Sequence, residues 1–215
     1  VSVSLFLFFF FFKDNHQVTL ETMSGDGTDA SKRRRPNILI TGTPGVGKTA
    51  TASLLAERTG MKHIHIGELI QQHKCYEGRD EDLDSFILDE DKLLDLMETM
   101  LGEANLEDGV GVVCDYHACE LFPERWFDLI LVLRTKTDVL FDRLSKRGYS
   151  DKKRDENMEC EIMQVILEEA REAYDHEIVH EVPSNTTEDI DSNIARVEAW
   201  TKQWIADKGV DDDEN

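Results

Sequence analysis

Basic residues are scarce in this chain of 215 residues: 24 lysines and arginines stand against 45 aspartates and glutamates, giving a formal net charge of −21. A surface this acidic repels the phosphate backbone of nucleic acids. We therefore expect no direct, sequence-specific contact with DNA or RNA. Two explanations of the acid remain open: it attracts a basic protein partner, or it only keeps the protein soluble.

Cysteines are also few. Cys75, Cys114, Cys119 and Cys160 form no C-x-x-C pair and no zinc-knuckle spacing, and two of them lie in apolar stretches. This pattern argues against a zinc module and a disulfide framework. It predicts reduced core thiols in an intracellular compartment.

A hydrophobic run long enough to span a bilayer is missing. The phenylalanine-rich residues 1–12 are too short, and they lack the basic start and small-residue cleavage site of a signal peptide. We expect no membrane association. We interpret Met23 as the true start, and residues 1–22 as a gene-model artefact in which an untranslated region of the transcript is read as protein. The alternative is a membrane or secretory segment.

Residues 24–35 are polar and end in Lys32-Arg33-Arg34-Arg35. The whole segment 1–35 is therefore predicted to be a non-native or flexible leader. Its basic cluster is either a nuclear localisation signal or a solvated linker.

Residues 37–49, NILITGTPGVGKT, match the strand–G-x-x-x-x-G-K-[ST]–helix template of a phosphate-binding loop. Glycines let successive backbone N–H groups converge on one anion, and the following helix adds its positive end. In this arrangement Lys48 reaches the β- and γ-phosphates, and the Thr49 hydroxyl holds Mg²⁺. The residues expected to cradle phosphate are Gly45, Val46, Gly47, Lys48, Thr49 and Ala50. The sequence therefore predicts nucleoside triphosphate binding with Mg²⁺.

Apolar runs and helical repeats alternate after this loop, which favours an α/β fold with a parallel sheet covered on both faces. The predicted strands lie near residues 38–40, 62–66, 110–115, 126–133 and 178–182. The predicted helices cover residues 48–59, 88–106, 139–144 and 190–204, with one long helix that includes residues 162–173. Residues 67–88 are predicted to be a polar excursion from the core, and the acidic residues 211–215 to be disordered. We interpret His63 and His65 as the polar face of the second strand, not as ligands.

Asp115 ends the third predicted strand, at the edge where doubly wound sheets bind ligands. A carboxylate there is suited to orienting the water shell of Mg²⁺. His117 follows two residues later, either as a surface histidine or as a group that positions or accepts a proton near the γ-phosphate.

Phosphoryl transfer needs cations around the γ-phosphate, because negative charge spreads over its oxygens. Arg134, Arg143 and Arg147 lie at the end of the fourth strand and along the helix after it, although helix surfaces also carry arginine for solubility alone. We select Arg147 first, because Gly148 and Tyr149 suggest a hinge into a covering loop, and Arg143 second.

Thr135-Lys136-Thr137-Asp138 is similar to the [NT]-K-x-D guanine-recognition motif of GTPases. The Asp-x-x-Gly switch of those proteins is absent, since Asp115 is followed by Tyr-His-Ala. We interpret the match as coincidence and keep a GTPase as the last of three hypotheses.

Several motifs together resemble the adenylate kinase isoenzyme 6 family, that of the coilin-interacting nuclear ATPase, over residues 36–207. These are GTPGVGKT (42–49), ILDED (87–91), DYH (115–117), FPERWF (122–127), VLRT (132–135), RGY (147–149), CEI (160–162) and IVHEVPSN (178–185).

The resemblance implies a P-loop NTPase fold with five parallel strands in the order 2-3-1-4-5. It also implies a small nucleoside-monophosphate-binding insert at about 65–88 and a short lid at about 146–156 within a domain of residues 36–207, followed by an acidic tail at 208–215. Its implied catalytic residues are Lys48, Asp115, His117 and Arg147. Asn185 and Arg143 would contact the nucleotide, and Gly67 and Glu68 the acceptor.

The activities implied by the resemblance are adenylate kinase, which transfers the γ-phosphoryl of ATP to AMP, and ATPase. The implied partner is a basic small-subunit ribosomal protein during 18S rRNA maturation, in the nucleus and cytoplasm. The second hypothesis is an assembly factor whose ATP hydrolysis times the release of that protein, with AMP phosphorylation incidental.

Two departures from the family's sequence lie near the expected site. Residues 67–71, GELIQ, replace the family's GDLAR, so Gln71 removes an arginine suited to clamping the AMP phosphate. Arg79 is the candidate replacement. Ala50 stands where a second threonine is frequent, but only its backbone N–H is needed there.

Overall fold

The structure is a computed structural model and describes residues 33–80, 85–106 and 109–212. Its strands are β1 (Asn37–Thr41), β2 (Lys62–His65), β3 (Tyr76–Asp80), β4 (Ser85–Leu88), β5 (Val112–Asp115), β6 (Leu129–Arg134) and β7 (Val179–Pro183). Its helices are α1 (Lys48–Thr59), α2 (Ile66–His73), α3 (Glu90–Leu106), α4 (Thr137–Lys146), α5 (Asp151–Ile162), α6 (Val165–Ala173) and α7 (Thr187–Asp212).

Five strands form one parallel sheet in the order β2-β5-β1-β6-β7. Counting only these strands along the chain, this is the predicted order 2-3-1-4-5, so the predicted fold is confirmed. β1 is central and fully buried, with Ile38 opposite Val113 on one side and Leu129 on the other. Because all five strands are parallel, the loops after β1, β5 and β6 meet at one edge of the sheet.

Helices cover both faces of the sheet, as its apolar strands require. Leu39 of β1 belongs to the core under α2, α3 and α6, together with the fully buried Met97. Ile38 and Ile40 belong to the opposite core, under α1, α4 and α7, together with Leu55. The sheet edge that carries the site is thus held between two packed layers.

Residues 67–88 are more regular than the predicted polar excursion. Ile66, Leu69 and Ile70 are buried at helical spacing and form the inner face of α2. An antiparallel hairpin of β3 and β4 follows, with a register shift between Tyr76 and Gly78. The sequence analysis did not predict α2 or the hairpin, because the polar and charged residues of this segment favoured an irregular excursion.

The predicted long helix through residues 162–173 is wrong. It is two helices, since Gln164 has a left-handed backbone (φ 60°) between α5 and α6, and Ile162 is 59% exposed at the end of α5. The proposed lid segment is also largely helical: α5 begins at Asp151, where Ser150 caps it by accepting a hydrogen bond from the Lys153 N–H.

The fourth strand of the sheet begins at Leu129 and not at Trp126. Glu124–Trp126 form a short 3₁₀ turn that directs the indole ring inward, where it is 1% exposed. Trp126 was assigned to the strand because it belongs to the same apolar run in the sequence, but it is a buried residue of the preceding turn.

The last residues of the predicted leader belong to the folded structure. Arg33 is 3% exposed, and its guanidinium donates to the Trp126 carbonyl (2.8 Å) and the Asp128 carboxylate (3.1 Å). Arg35 donates to the Thr59 carbonyl at 3.1 Å. The prediction of a flexible leader up to residue 35 is therefore wrong for Arg33 and Arg35, while residues 1–32 lie outside the described ranges.

α7 is longer than predicted, with 26 residues ending at Asp212. The first part of the predicted acidic tail is thus helical, and residues 213–215 lie outside the described ranges. Neither α7 nor any other described helix combines the length and the apolar character needed to cross a membrane.

Glu169 on α6 gives a prediction about stability and pH. Burial, followed by the charge of Glu120 and a hydrogen bond with it, raises the pKa of Glu169 to about 8 from an ordinary 4.5. The folded state therefore keeps a proton that the unfolded chain releases above pH 4.5, so stability falls as the pH rises through this window. We expect Glu169→Gln, which mimics the protonated form, to melt like the wild type at pH 4.5. At pH 9 the variant should melt several degrees above the wild type, since 1 kcal/mol of stability shifts the melting temperature by about 2–4 °C in a chain of this size.

The matched control is Glu168→Gln, because Glu168 is exposed on the same helix. Its melting curve should stay parallel to the wild type from pH 4.5 to 9. A constant difference between Glu169→Gln and wild type across that range would show that the Glu169 carboxyl titrates alike in both states.

Candidate active site

The loop after β1 has a backbone that only glycine allows at two positions. Gly42 has φ 137°, and an added Cβ would lie 2.6 Å from the Leu133 carbonyl oxygen. Gly45 has φ 98°, and its Cβ would lie 2.9 Å from the Leu144 side chain. The loop is thereby pressed against β6 and α4, and it curves back into α1, which begins at Lys48. The backbone N–H groups in the first turn of α1 have no hydrogen-bond acceptor within the helix, so they are available to bind an anion.

Lys48 lies across this loop. Its ammonium donates to the carbonyl oxygens of Gly42 (2.7 Å) and Thr43 (3.1 Å). Burial lowers the pKa of Lys48 to about 8, while the Asp115 carboxylate acts in the opposite direction. The side chain is therefore mostly charged at pH 7, beside the amides expected to hold phosphate.

Thr49 and Asp115 come together as the sequence predicts. The Thr49 hydroxyl donates to Asp115 Oδ2 at 2.7 Å, and the carboxylate is 1% exposed at the end of β5. Hydroxyl and carboxylate oxygens are the hard ligands that Mg²⁺ prefers. The pair fits a magnesium ion or its water shell at the first turn of α1.

Two histidines of β2 also contact Asp115, which their interpretation as the polar face of the strand did not predict. His63 Nε2 lies 2.7 Å from Asp115 Oδ1, and His65 Nδ1 lies 3.3 Å from Oδ2. β2 pairs with β5 in a register that sets His65 opposite Asp115. Only this pairing reveals the contact, because the residues are about fifty positions apart in sequence.

His117 is half-buried and packs against the Tyr116 ring, with a centroid distance of 4.3 Å. Burial, and after it the charge of Lys48, lowers the pKa of His117 to about 3. The imidazole is therefore neutral at physiological pH. It can position a nucleophile by hydrogen bonding, but it does not supply a cation.

Arg143 and Arg147 occupy different places around the loop. Arg143 donates to the carbonyls of Ser184 (2.9 Å) and Asn185 (2.9 Å), and to that of Val46 at 3.3 Å. It thus ties the phosphate loop to the turn after β7. Arg147 is exposed, and its charge is near enough to lower the pKa of both Lys48 and Arg143 further, after burial. In contrast to Arg143, Arg147 leaves its guanidinium exposed near Lys48.

Asn185 lies on the rim of a cleft of about 400 Å³ beside Lys136 and Pro183. Its side-chain oxygen accepts from the Lys136 N–H at 2.8 Å. Thr135, the first residue of the GTPase-like motif, is buried and donates to the Ser184 carbonyl at 3.1 Å. The structure therefore uses Thr135 to join the ends of β6 and β7.

Glu161 is a site residue that sequence reasoning missed. It is 4% exposed on α5 and accepts from the Thr43 hydroxyl (2.5 Å), the Thr135 N–H (2.9 Å) and Arg134 Nε (2.8 Å). One carboxylate thus joins α5 to the phosphate loop and to the end of β6. The Arg134 guanidinium is therefore bound to Glu161, with Glu181 as a second carboxylate partner at 3.4 Å.

The predicted acceptor residues lie on α2 and β3. Gly67 and Glu68 are in the first turn of α2, and Glu68 lines a cavity of about 450 Å³ with Thr49, His63 and His65. Gln71 is exposed on the same helix. Arg79 belongs to β3, but its side chain is outside the described part of the structure.

A glycine loop crossed by a lysine, with a hydroxyl and a carboxylate paired beside it on this sheet order, is the arrangement of P-loop kinases. These enzymes move a phosphoryl group from a nucleotide to a second substrate. The class is therefore that of P-loop phosphotransferases.

Comparison with known proteins specifies the class. A family model described as an AAA domain matches residues 38–164. An adenylate kinase isoenzyme 6 homolog of Dictyostelium discoideum is 47% identical over 80% of this chain and 95% of its own length. The homolog of Caenorhabditis elegans is 48% identical over 77% and 88%, and the Saccharomyces cerevisiae homolog FAP7 is 42% identical over 81% and 86%. This chain belongs to the adenylate kinase isoenzyme 6 family and is a nucleotide-kinase-type phosphotransferase.

Proposed function

We propose that this protein is a Mg²⁺-dependent, broad-specificity nucleoside monophosphate kinase that transfers the γ-phosphoryl group of ATP chiefly to AMP, and more slowly to water. The observation that carries the proposal is the 2.7 Å contact between Thr49 and Asp115, at the loop that the Lys48 ammonium crosses. The relatives are named adenylate kinase isoenzyme 6 homologs, which supports AMP as acceptor.

The phosphate loop binds the nucleotide and stabilises the negative charge of its phosphates. The backbone N–H groups of residues 45–50 hold the β- and γ-phosphates, and Lys48 exchanges its two carbonyl partners for phosphate oxygens. Arg147, exposed next to Lys48, covers the transferring group. These cations match the negative charge that spreads over the γ-phosphoryl oxygens during transfer.

Thr49 and Asp115 would hold the magnesium ion, which when bound would neutralise charge on the polyphosphate. Neutral His117 is placed to orient the acceptor or a water molecule by hydrogen bonding, since its pKa of about 3 leaves the ring without charge. Gly67 and Glu68 at the start of α2 form the acceptor side.

Product analysis of labelled ATP tests the proposal. With AMP present, we expect ADP to form at two molecules per ATP consumed, much faster than phosphate is released. With ATP alone, we expect slow release of phosphate. ATP consumption that AMP does not accelerate would contradict a kinase, and preference for GTP over ATP in competition would favour the GTPase hypothesis.

The acidic surface supports a second candidate, an assembly factor that binds a basic small-subunit ribosomal protein in the nucleus and cytoplasm during 18S rRNA maturation. The net charge of −21 is the observation in its favour. In this case ATP hydrolysis times the release of that protein. Adding the basic protein to the same assay would then accelerate phosphate release more than AMP accelerates ADP formation.

A further inference from the structure

The Asp115 carboxylate is held on both of its oxygens. Oδ2 accepts from Thr49 at 2.7 Å, and Oδ1 lies 2.7 Å from His63 Nε2. The carboxylate is 1% exposed, so each oxygen needs a partner to offset the loss of water. Lys48 does not supply one by direct contact, because its ammonium hydrogen bonds go to Gly42 and Thr43.

The chemistry of this contact fixes the direction of the hydrogen bond. An ionised carboxylate only accepts, so His63 must donate through an Nε2–H. The imidazole stands on β2, in the strand that pairs with β5, and its side chain is 23% exposed toward the cavity lined by Ser53 and Glu68. His65 differs, because its Nδ1 is 3.3 Å from Oδ2 and makes no hydrogen bond of good geometry.

We propose that His63 is a positioning residue of the phosphoryl-transfer site: its Nε2–H holds Asp115 Oδ1, so that Oδ2 faces Thr49 and the magnesium ion. This inference rests on the proposed function, because it assigns His63 a role only if Thr49 and Asp115 bind the metal. It extends the site to β2, an edge strand of the sheet.

Three variants test the inference. His63→Phe keeps the ring volume and removes the donor, whereas His63→Gln restores an N–H at a similar reach. His180→Phe is the matched control, because His180 is an exposed histidine on the opposite edge strand, β7. The first readout is the melting temperature with an ATP analogue whose β,γ-bridging oxygen is replaced by NH, as Mg²⁺ is titrated, which gives an apparent Mg²⁺ affinity without turnover. The second is kcat and the KM for ATP at saturating and limiting Mg²⁺.

Loss of a group that orients a metal ligand typically weakens metal affinity about 10–100-fold. We expect His63→Phe to lose apparent Mg²⁺ affinity by that factor, with its affinity for the analogue in EDTA unchanged. His63→Gln should recover most of the loss, and His180→Phe should match the wild type. Should His63→Phe fail to fold, His63→Asn, which is too short to reach Oδ1, replaces it with the same expected weakening.

Equal Mg²⁺ affinity in wild type and His63→Phe, or no recovery in His63→Gln, would overturn the inference. Failure of the proposed function gives a different result, since the wild type itself would then show neither Mg²⁺-dependent stabilisation with the ATP analogue nor AMP-dependent formation of ADP.

Discussion

Replacing Lys48 with methionine is expected to lower the rate of ADP formation from ATP and AMP by at least about 10²–10³-fold, the usual cost of removing one group that stabilises developing charge. Methionine retains the length and apolar stem of lysine but has no ammonium. The variant therefore loses the one charged group that already bridges the two loop carbonyls, Gly42 and Thr43. Initial rates at saturating ATP and AMP measure the effect.

The control for this variant is Lys62→Met. Lys62 is exposed at the start of β2, at the opposite end of the strand from Asp115. Its rate should equal that of the wild type. If Lys48→Met protein took up and turned over ATP as before, the loop would not be the phosphate site.

Replacing Glu161 with methionine is expected to destabilise the fold by about 3–5 kcal/mol, because it removes the buried carboxylate of an ion pair. Arg134 then keeps only the exposed Glu181 as a carboxylate partner among the described residues, at 3.4 Å. Arg134 is 18% exposed and is bound by Glu161 through Nε, while the Thr43 hydroxyl and the Thr135 N–H lose their acceptor as well. Since Thr43 belongs to the phosphate loop, ATP affinity should fall together with stability. Urea unfolding and equilibrium ATP binding measure the two effects.

Glu159→Met is the matched control, since Glu159 is exposed on the same helix. It should change the free energy of unfolding by no more than about 0.5 kcal/mol, as surface substitutions usually do. Equal midpoints for the two variants would show that the Glu161 cluster adds nothing to stability.

Local patterns were enough to predict the sheet and the phosphate loop. The glycine spacing before Lys48 specifies the loop, and apolar runs separated by helical repeats specify a parallel sheet. Asp115 was predicted from its place after a buried strand, because the carboxyl ends of parallel strands meet at one edge. These features depend on residues that are neighbours in sequence.

The features that were missed depend on residues far apart in the chain. His63 meets Asp115 only through the pairing of β2 with β5, and Glu161 meets Thr43 across 118 positions. Arg33 was assigned to a basic leader because its hydrogen-bond partners, Trp126 and Asp128, are more than ninety positions away in the sequence. The break at Gln164 has no glycine or proline to indicate it, so helical spacing continued through it in the sequence.

The central claim is that the backbone amides of residues 45–50 hold the polyphosphate while Thr49 and Asp115 hold its metal. Amide resonances of the isotope-labelled protein, followed as Mg²⁺–ADP is added, test it most directly. The account predicts that the largest shifts fall on Gly45, Gly47, Lys48 and Thr49, and that omitting Mg²⁺ reduces those of Thr49 and Asp115. Shifts concentrated elsewhere, with these amides unchanged at saturation, would contradict it.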